Sequence, residues 1–97
     1  MLNSRQRAQL RGMAHNIQPI FQVGKGGVGE QLIKQVNEAL EARELIKLTV
    51  LETSPQKARE CADKISAETG SDVVQVIGSK FTLYRQSRDN KQIVLVK

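Results

Sequence analysis

The chain has 97 residues, 39% of them hydrophobic and 26% charged. That is the composition of a folded protein, with enough length for one core and not for two. Aromatic residues make up only 3%, so the core is aliphatic and few rings are left for a binding surface built on stacking. Fifteen Lys and Arg against ten Asp and Glu give a net charge of +5, a balance that favours polyanionic partners.

The first predicted element is a helix over residues 4–16. Leu10, Met13, Ala14 and Ile17 fall at i, i+3, i+4 and i+7, one apolar stripe, and Asn3 or Ser4 stands where a cap belongs. Arg7 and Arg11 are four apart and share a face. Pro19 ends this region and a short strand follows over 20–23. Gly24-Lys25-Gly26-Gly27-Val28-Gly29 then makes a tight loop. A second helix over 28–42 turns Leu32, Ile33, Val36, Ala39 and Leu40 inward. Residues 45–51 alternate as a strand, with Ile46, Leu48 and Val50 on one side and Lys47 and Thr49 on the other.

The third helix is expected to open with Ser54 as its cap and Pro55 at its first position, and to stop at Gly70. Ala58, Cys61, Ala62 and Ile65 form its stripe. A strand over 73–77, a turn at Gly78-Ser79 and a strand over 81–85 follow as a hairpin. The apolar run at 93–96 is either a short extra strand or an ordered tail. The order α-β-α-β-α-β-β holds two βαβ crossovers, which imply parallel pairing, and a final hairpin that adds an antiparallel strand. The expectation is a single α/β domain over 1–97, a small mixed four-stranded sheet with packed helices.

Charge is segregated along the chain. Residues 1–29 carry four basic residues and no acid, residues 30–72 carry nine acids against six bases, and residues 73–97 carry five bases and one acid. If the two ends meet in space they form one positive face.

The chemistry concentrates on the glycine loop. It lies between a strand and a helix, where unpaired N–H groups and the helix dipole favour an anion and glycine allows close approach. A Walker A loop would need Lys and Ser or Thr where Glu30 and Gln31 stand. Gly24, Gly26 and Gly29 match the spacing of a dinucleotide fingerprint, with Glu52 after the second strand, but the chain is too short for two βαβ halves. A G-x-x-G clamp, Gly24-Lys25-Gly26-Gly27, of the kind that grips a nucleic-acid backbone needs only the loop, the helix start and basic neighbours. The plain alternative is that the glycines simply permit a sharp turn.

Gln6-Arg7, Leu10-Arg11, Ala14-His15, Pro19 and Val23-Gly24-Lys25-Gly26-Gly27 occur in one order with particular gaps. Glu44-Leu45-Ile46-Lys47, Thr69-Gly70, Val74-Gln75-Val76-Ile77-Gly78 and Leu83-Tyr84-Arg85 continue it. This pattern resembles the CRM domain (chloroplast RNA splicing and ribosome maturation), and more narrowly the bacterial single-domain YhbY/YqeI-like proteins, over roughly residues 2–86. The resemblance implies a fold similar to the C-terminal domain of translation initiation factor three. It implies RNA binding without catalysis, and an association with ribosomal RNA in precursors of the large subunit. It carries over the loop residues Gly24, Lys25, Gly26 and Gly27 and the first-helix residues Arg7 and Arg11.

Charge alone adds Arg5 and Lys80 to this RNA-binding set, and charge and resemblance together add Arg85, while Arg88, Lys91 and Lys97 rest on charge in the tail. His15 reads as structural, because no partner nucleophile or acid is signalled beside it. Cys61 reads as a small core residue. Phe81 and Tyr84 are placed on one sheet face, Phe81 in the core and either ring a possible base-stacking platform. The acids of the second helix, Glu30, Glu38, Glu41 and Glu44, suggest an alternative role as a protein-interaction adaptor. No catalytic residue, metal or cofactor is expected. No apolar run reaches the ~18 residues of a membrane span, no secretory leader is evident, and one cysteine fits a reducing compartment. The expectation is therefore a cytoplasmic monomer.

Overall fold

Asn3 closes a full capping box with Gln6, each side chain bonding the other's backbone N–H, and helix α1 follows over Ser4–Ala14. The computed structural model describes residues 2–97. α1 stops two residues earlier than the apolar spacing predicts, because Asn16 and Ile17 bond back only three residues, to Met13 and Ala14. Strand β1 (Pro19–Val23) leads into the glycine loop, and helix α2 (Glu30–Arg43) begins after Gly29, which is fully extended. Strand β2 (Leu45–Val50), helix α3 (Ala58–Thr69), strand β3 (Asp72–Ile77) and strand β4 (Lys80–Tyr84) complete the order. Gly70 ends α3 in the left-handed conformation, as its position suggested.

Ser54-Pro55 does not open α3. Ser54 N–H bonds the Leu51 carbonyl, and its hydroxyl bonds both the N–H and the carbonyl of Gln56. The pair therefore closes a turn, and the helix starts three residues later with Lys57 as its cap.

The sheet order is β1-β2-β4-β3. β1 and β2 pair in parallel, and β4 is antiparallel to both its neighbours. The second crossover thus sets β3 parallel to β2 but one strand away, and β4 returns between them. The sheet is mixed and four-stranded as expected, but only one pair is parallel.

Period-two alternation divides the apolar residues between two cores. On one face α2 and α3 bury Val36, Leu40, Cys61 and Ile65 against Ile46, Leu48, Phe81 and Leu83. On the other, α1 and the C-terminal tail cover Leu45, Val74 and Tyr84 with Leu10, Ile93 and Leu95. Phe81 and Tyr84 are three residues apart in one strand, so they lie on opposite faces. Both rings are buried, which removes them as platforms for bases. None of the described helices is long and apolar enough to cross a membrane.

Candidate functional site

Because β1 and β2 are parallel, the helices that follow them start at the same edge of the sheet. Two loops meet there. Leu51 N–H bonds the Val23 carbonyl at 2.9 Å, joining the glycine loop to the β2–α3 loop. The β3–β4 turn at Gly78-Ser79 arrives beside them, with Val50 N–H on the Ser79 carbonyl at 2.7 Å. Neither Gly29 at the start of α2 nor Lys57 at the start of α3 makes a side-chain cap bond. α1, which starts elsewhere, is fully capped. Two helix N-termini with uncapped N–H groups therefore share one edge, and their dipoles add there.

The glycine loop closes on a bond from Gly27 N–H to the Gly24 carbonyl, 2.9 Å. Its four residues differ in what holds them. Gly27 has φ +67°, and a Cβ there would meet Gln56 at 2.6 Å and Pro55 at 3.0 Å, so only glycine fits. Gly24 would meet Leu51 at an ordinary 3.6 Å, and Gly26 would meet nothing within 4 Å. Gly26 and Lys25 are exposed on the outside of the bend. The bend needs one glycine, and the others leave the backbone bare for an approaching group.

The predicted basic residues fall into three places. Lys25 stands on the loop, and Lys80 is exposed at the same edge, where it pairs with Thr49. Arg11 is exposed in the last turn of α1. That turn is tied down by Lys47, whose ammonium donates to the Ala14 carbonyl at 2.7 Å. Lys47 lies three strand residues before Val50, so this end of α1 sits about 10 Å from the loop edge along the sheet. Arg5 is exposed further along α1, whereas Arg7 is half-buried and donates to the Val73 carbonyl at 2.6 Å.

Arg85 is placed elsewhere. It follows Tyr84, which pairs with Leu45 at the opposite end of β2. Its guanidinium bonds the Asn37 side chain, the Asn37 carbonyl and the Thr69 carbonyl at 2.6, 3.0 and 2.7 Å. Arg85 ties the end of α3 to α2 and is not part of the loop edge. Gln56 and Lys57 are at that edge instead. Reading Ser54-Pro55 as a helix start hid them, and reading it as a turn would have brought them out.

The acids of α2 are also partly engaged. Glu44, buried and at φ +68°, accepts the N–H groups of Ser87, Gln92 and Ile93 at 2.8, 2.6 and 2.7 Å. Glu41 accepts from the Ser87 hydroxyl and from the Arg88 and Asp89 N–H groups. These bonds hold the Glu41 carboxyl at about 2 and the Glu44 carboxyl below its ordinary value, although burial opposes the shift most strongly at Glu44. The two residues form a socket for the tail and offer no free acidic face to a partner. At the loop edge the acids are Glu30, in the first turn of α2, and Glu52.

Comparison with known proteins settles the family. The chain matches the CRS1 / YhbY (CRM) domain over residues 2–85. It belongs to the CRM family. This CRM chain is 48% identical over 95 residues to a Bacillus subtilis protein named "Probable RNA-binding protein YqeI", covering 98% of this chain and 99% of the relative. It is 32% identical over 90 residues to a Haemophilus influenzae protein named "RNA-binding protein", covering 93% and 91%. The solution structure of the hypothetical protein SAV1595 from Staphylococcus aureus superposes on the CRM fold with a TM-score of 0.82 at 50% identity, over 99% of this chain and all of that one.

Proposed function

We propose that this protein is a non-catalytic RNA-binding domain that grips the sugar–phosphate backbone at Gly24, Lys25, Gly26 and Gly27. The observation that carries the reading is the bare, exposed backbone of Gly26, which nothing steric requires, at an edge where two helices start without side-chain caps. A phosphate there meets unpaired N–H groups, the Lys25 ammonium and two helix dipoles. Lys57 and Lys80 flank the edge, and Arg11 and Arg5 extend the cationic track along α1. Arg7 contributes through the donors that Val73 leaves free. The relatives named as RNA-binding support RNA as the polyanion. The family resemblance supports a role on ribosomal RNA of a large-subunit precursor; the monomeric state and the cytoplasm are part of the proposal, the latter resting on the single cysteine.

The test replaces Lys25 and Gly26 together by Asp. Both positions are exposed and Gly26 has room for a side chain, so the circular dichroism spectrum and melting curve are expected to stay as they are. Affinity for structured RNA is expected to fall at least ~10-fold, from one lost charge contact and two introduced repulsions. Unchanged affinity in the folded variant overturns the assignment.

A further inference from the structure

Beside the glycine loop lies a cleft of about 420 Å³ between the β2–α3 loop and the β3–β4 turn. Its size is that of a small-ligand site. Leu51, Pro55 and Ala58 give it apolar walls, and exposed Lys57 stands at its rim. Leu51 keeps 40% of its surface exposed, although it also lies against Gly24. Gln56 joins cleft and loop. It lines the cleft, and its Oε1 is buried against Gly27 with no hydrogen-bond partner among the described residues. A buried carboxamide oxygen left unpaired is costly, so the side chain gains a bond by turning from Gly27 into the cleft when a ligand brings the donor.

A phosphate at the glycine loop places the attached nucleoside within reach of this cleft. The walls match a flat heterocycle on its faces. The Gln56 carboxamide, with one acceptor and a two-proton donor, matches the Watson–Crick or Hoogsteen edge of a base. We infer that the cleft takes one unstacked nucleobase of the bound RNA, held between Leu51 and Pro55 and read at its edge by Gln56. This rests on the backbone grip proposed above. It adds base selectivity to a contact that is otherwise electrostatic. It also means that the strand must be single-stranded at this point, because a base stacked and paired in a duplex cannot enter a cleft between two walls.

The experiment uses the full chain and four RNA decamers, oligo-A, oligo-C, oligo-G and oligo-U, with an abasic decamer of the same length. The wild-type protein is expected to bind the four with affinities spread about tenfold. Gln56→Met keeps the side chain's length and removes its polar groups. The variant is expected to keep the affinity for the abasic decamer while the spread collapses towards one. Equal wild-type affinities, or an unchanged spread in the variant, overturn the inference. A second measurement needs no variant. In the NMR spectrum of the wild-type protein, the Gln56 side-chain amide signals are expected to shift with the preferred decamer and not with the abasic one. The Lys25 and Gly26 amides are expected to shift with both. Gln56 shifting equally with both overturns the base pocket alone, and loop amides that move with neither overturn the backbone grip itself.

Discussion

Two adjacent glycines illustrate how differently one residue type is used. Gly27 is required by its own backbone and by Gln56 and Pro55 against it. Gly27→Ala is expected to destabilise the fold by ~1–2 kcal/mol from the positive φ alone, with more from the contacts, and to lower the melting temperature by at least ~4 °C. Gly26→Asp is expected to move it by no more than ~2 °C, since nothing is displaced. Calorimetry of the two variants separates a glycine kept for folding from one kept bare. Arg85 is a second case. Its three bonds to Asn37 and Thr69 make Arg85→Ala a stability variant, costing ~2–4 kcal/mol, with no loss of RNA affinity measured on the folded protein. The glycine motif was legible in the sequence. Which glycine carries the turn was not, because that depends on a loop 30 residues away in the chain. The internal bonds of Arg85 were hidden for the same reason: charge is visible in a sequence, but the carbonyls that engage it are not.

At the scale of elements, the cap of α1 and the stripe of α2 were readable, the stripe of α1 failed at Met13, which is 37% exposed, and the tail was readable only by halves. Residues 93–96 alternate as a strand does, with Ile93 and Leu95 inward. Among the described residues no strand pairs with them. Gln6 and Gln9 of α1 instead bond the Val96 and Val94 carbonyls and the Val96 N–H. Side chains of a helix thus stand in for a neighbouring strand, and no ladder forms. The other end of the tail depends on Glu41 and Glu44. Folding lowers both carboxyl pKa values, Glu41 from 4.5 to about 2. The unfolded chain therefore takes up more protons on acidification. The stabilisation from Glu41 is complete above about pH 4.5 and is lost as the pH falls towards 2, and that from Glu44 weakens in the same direction. The melting temperature is expected to decline through that window, and Glu41→Gln to flatten the decline. Tyr84, the single tyrosine of the chain, packs with the tail residues in the second core and gives a fluorescence probe of the release. Glu44→Ala strands three N–H groups and is expected to cost on the order of 3 kcal/mol by chemical denaturation.

For the whole molecule, the two ends of the chain meet, but most of their charges do not: Arg85 bonds Asn37 and Thr69 at the far end of β2, the Arg88 N–H bonds Glu41, and Lys80 stands at the loop edge. α1 and the tail lie on one face of the sheet, and the loop edge borders it. The proposed binding through this surface is electrostatic at its root. The logarithm of the RNA association constant is expected to fall linearly with the logarithm of salt concentration, with a slope of about −2 to −4 for three to five phosphates contacted. Lys25→Gln is expected to reduce that slope by ~0.7. Glu52→Gln, which removes an acid from the same edge, is expected to raise affinity two- to fivefold at low salt and by less at high salt. Fluorescence anisotropy across a salt series checks both, and a slope near zero would deny the electrostatic grip.

The sequence by itself determined the order of elements and most of the inward stripes, and it singled out residues 24–27 as the candidate site. Each of these is written in local spacing: a period of 3.6 or 2, a glycine run between a strand and a helix, a cap one turn before a stripe. Tertiary structure alone decided the insertion of β4 between β2 and β3, the meeting of two uncapped helix starts at one edge, and the internal use of Arg85, Glu41 and Glu44. Those outcomes depend on which distant donors and acceptors come within about 3 Å of each other, and spacing along a chain carries no record of that distance.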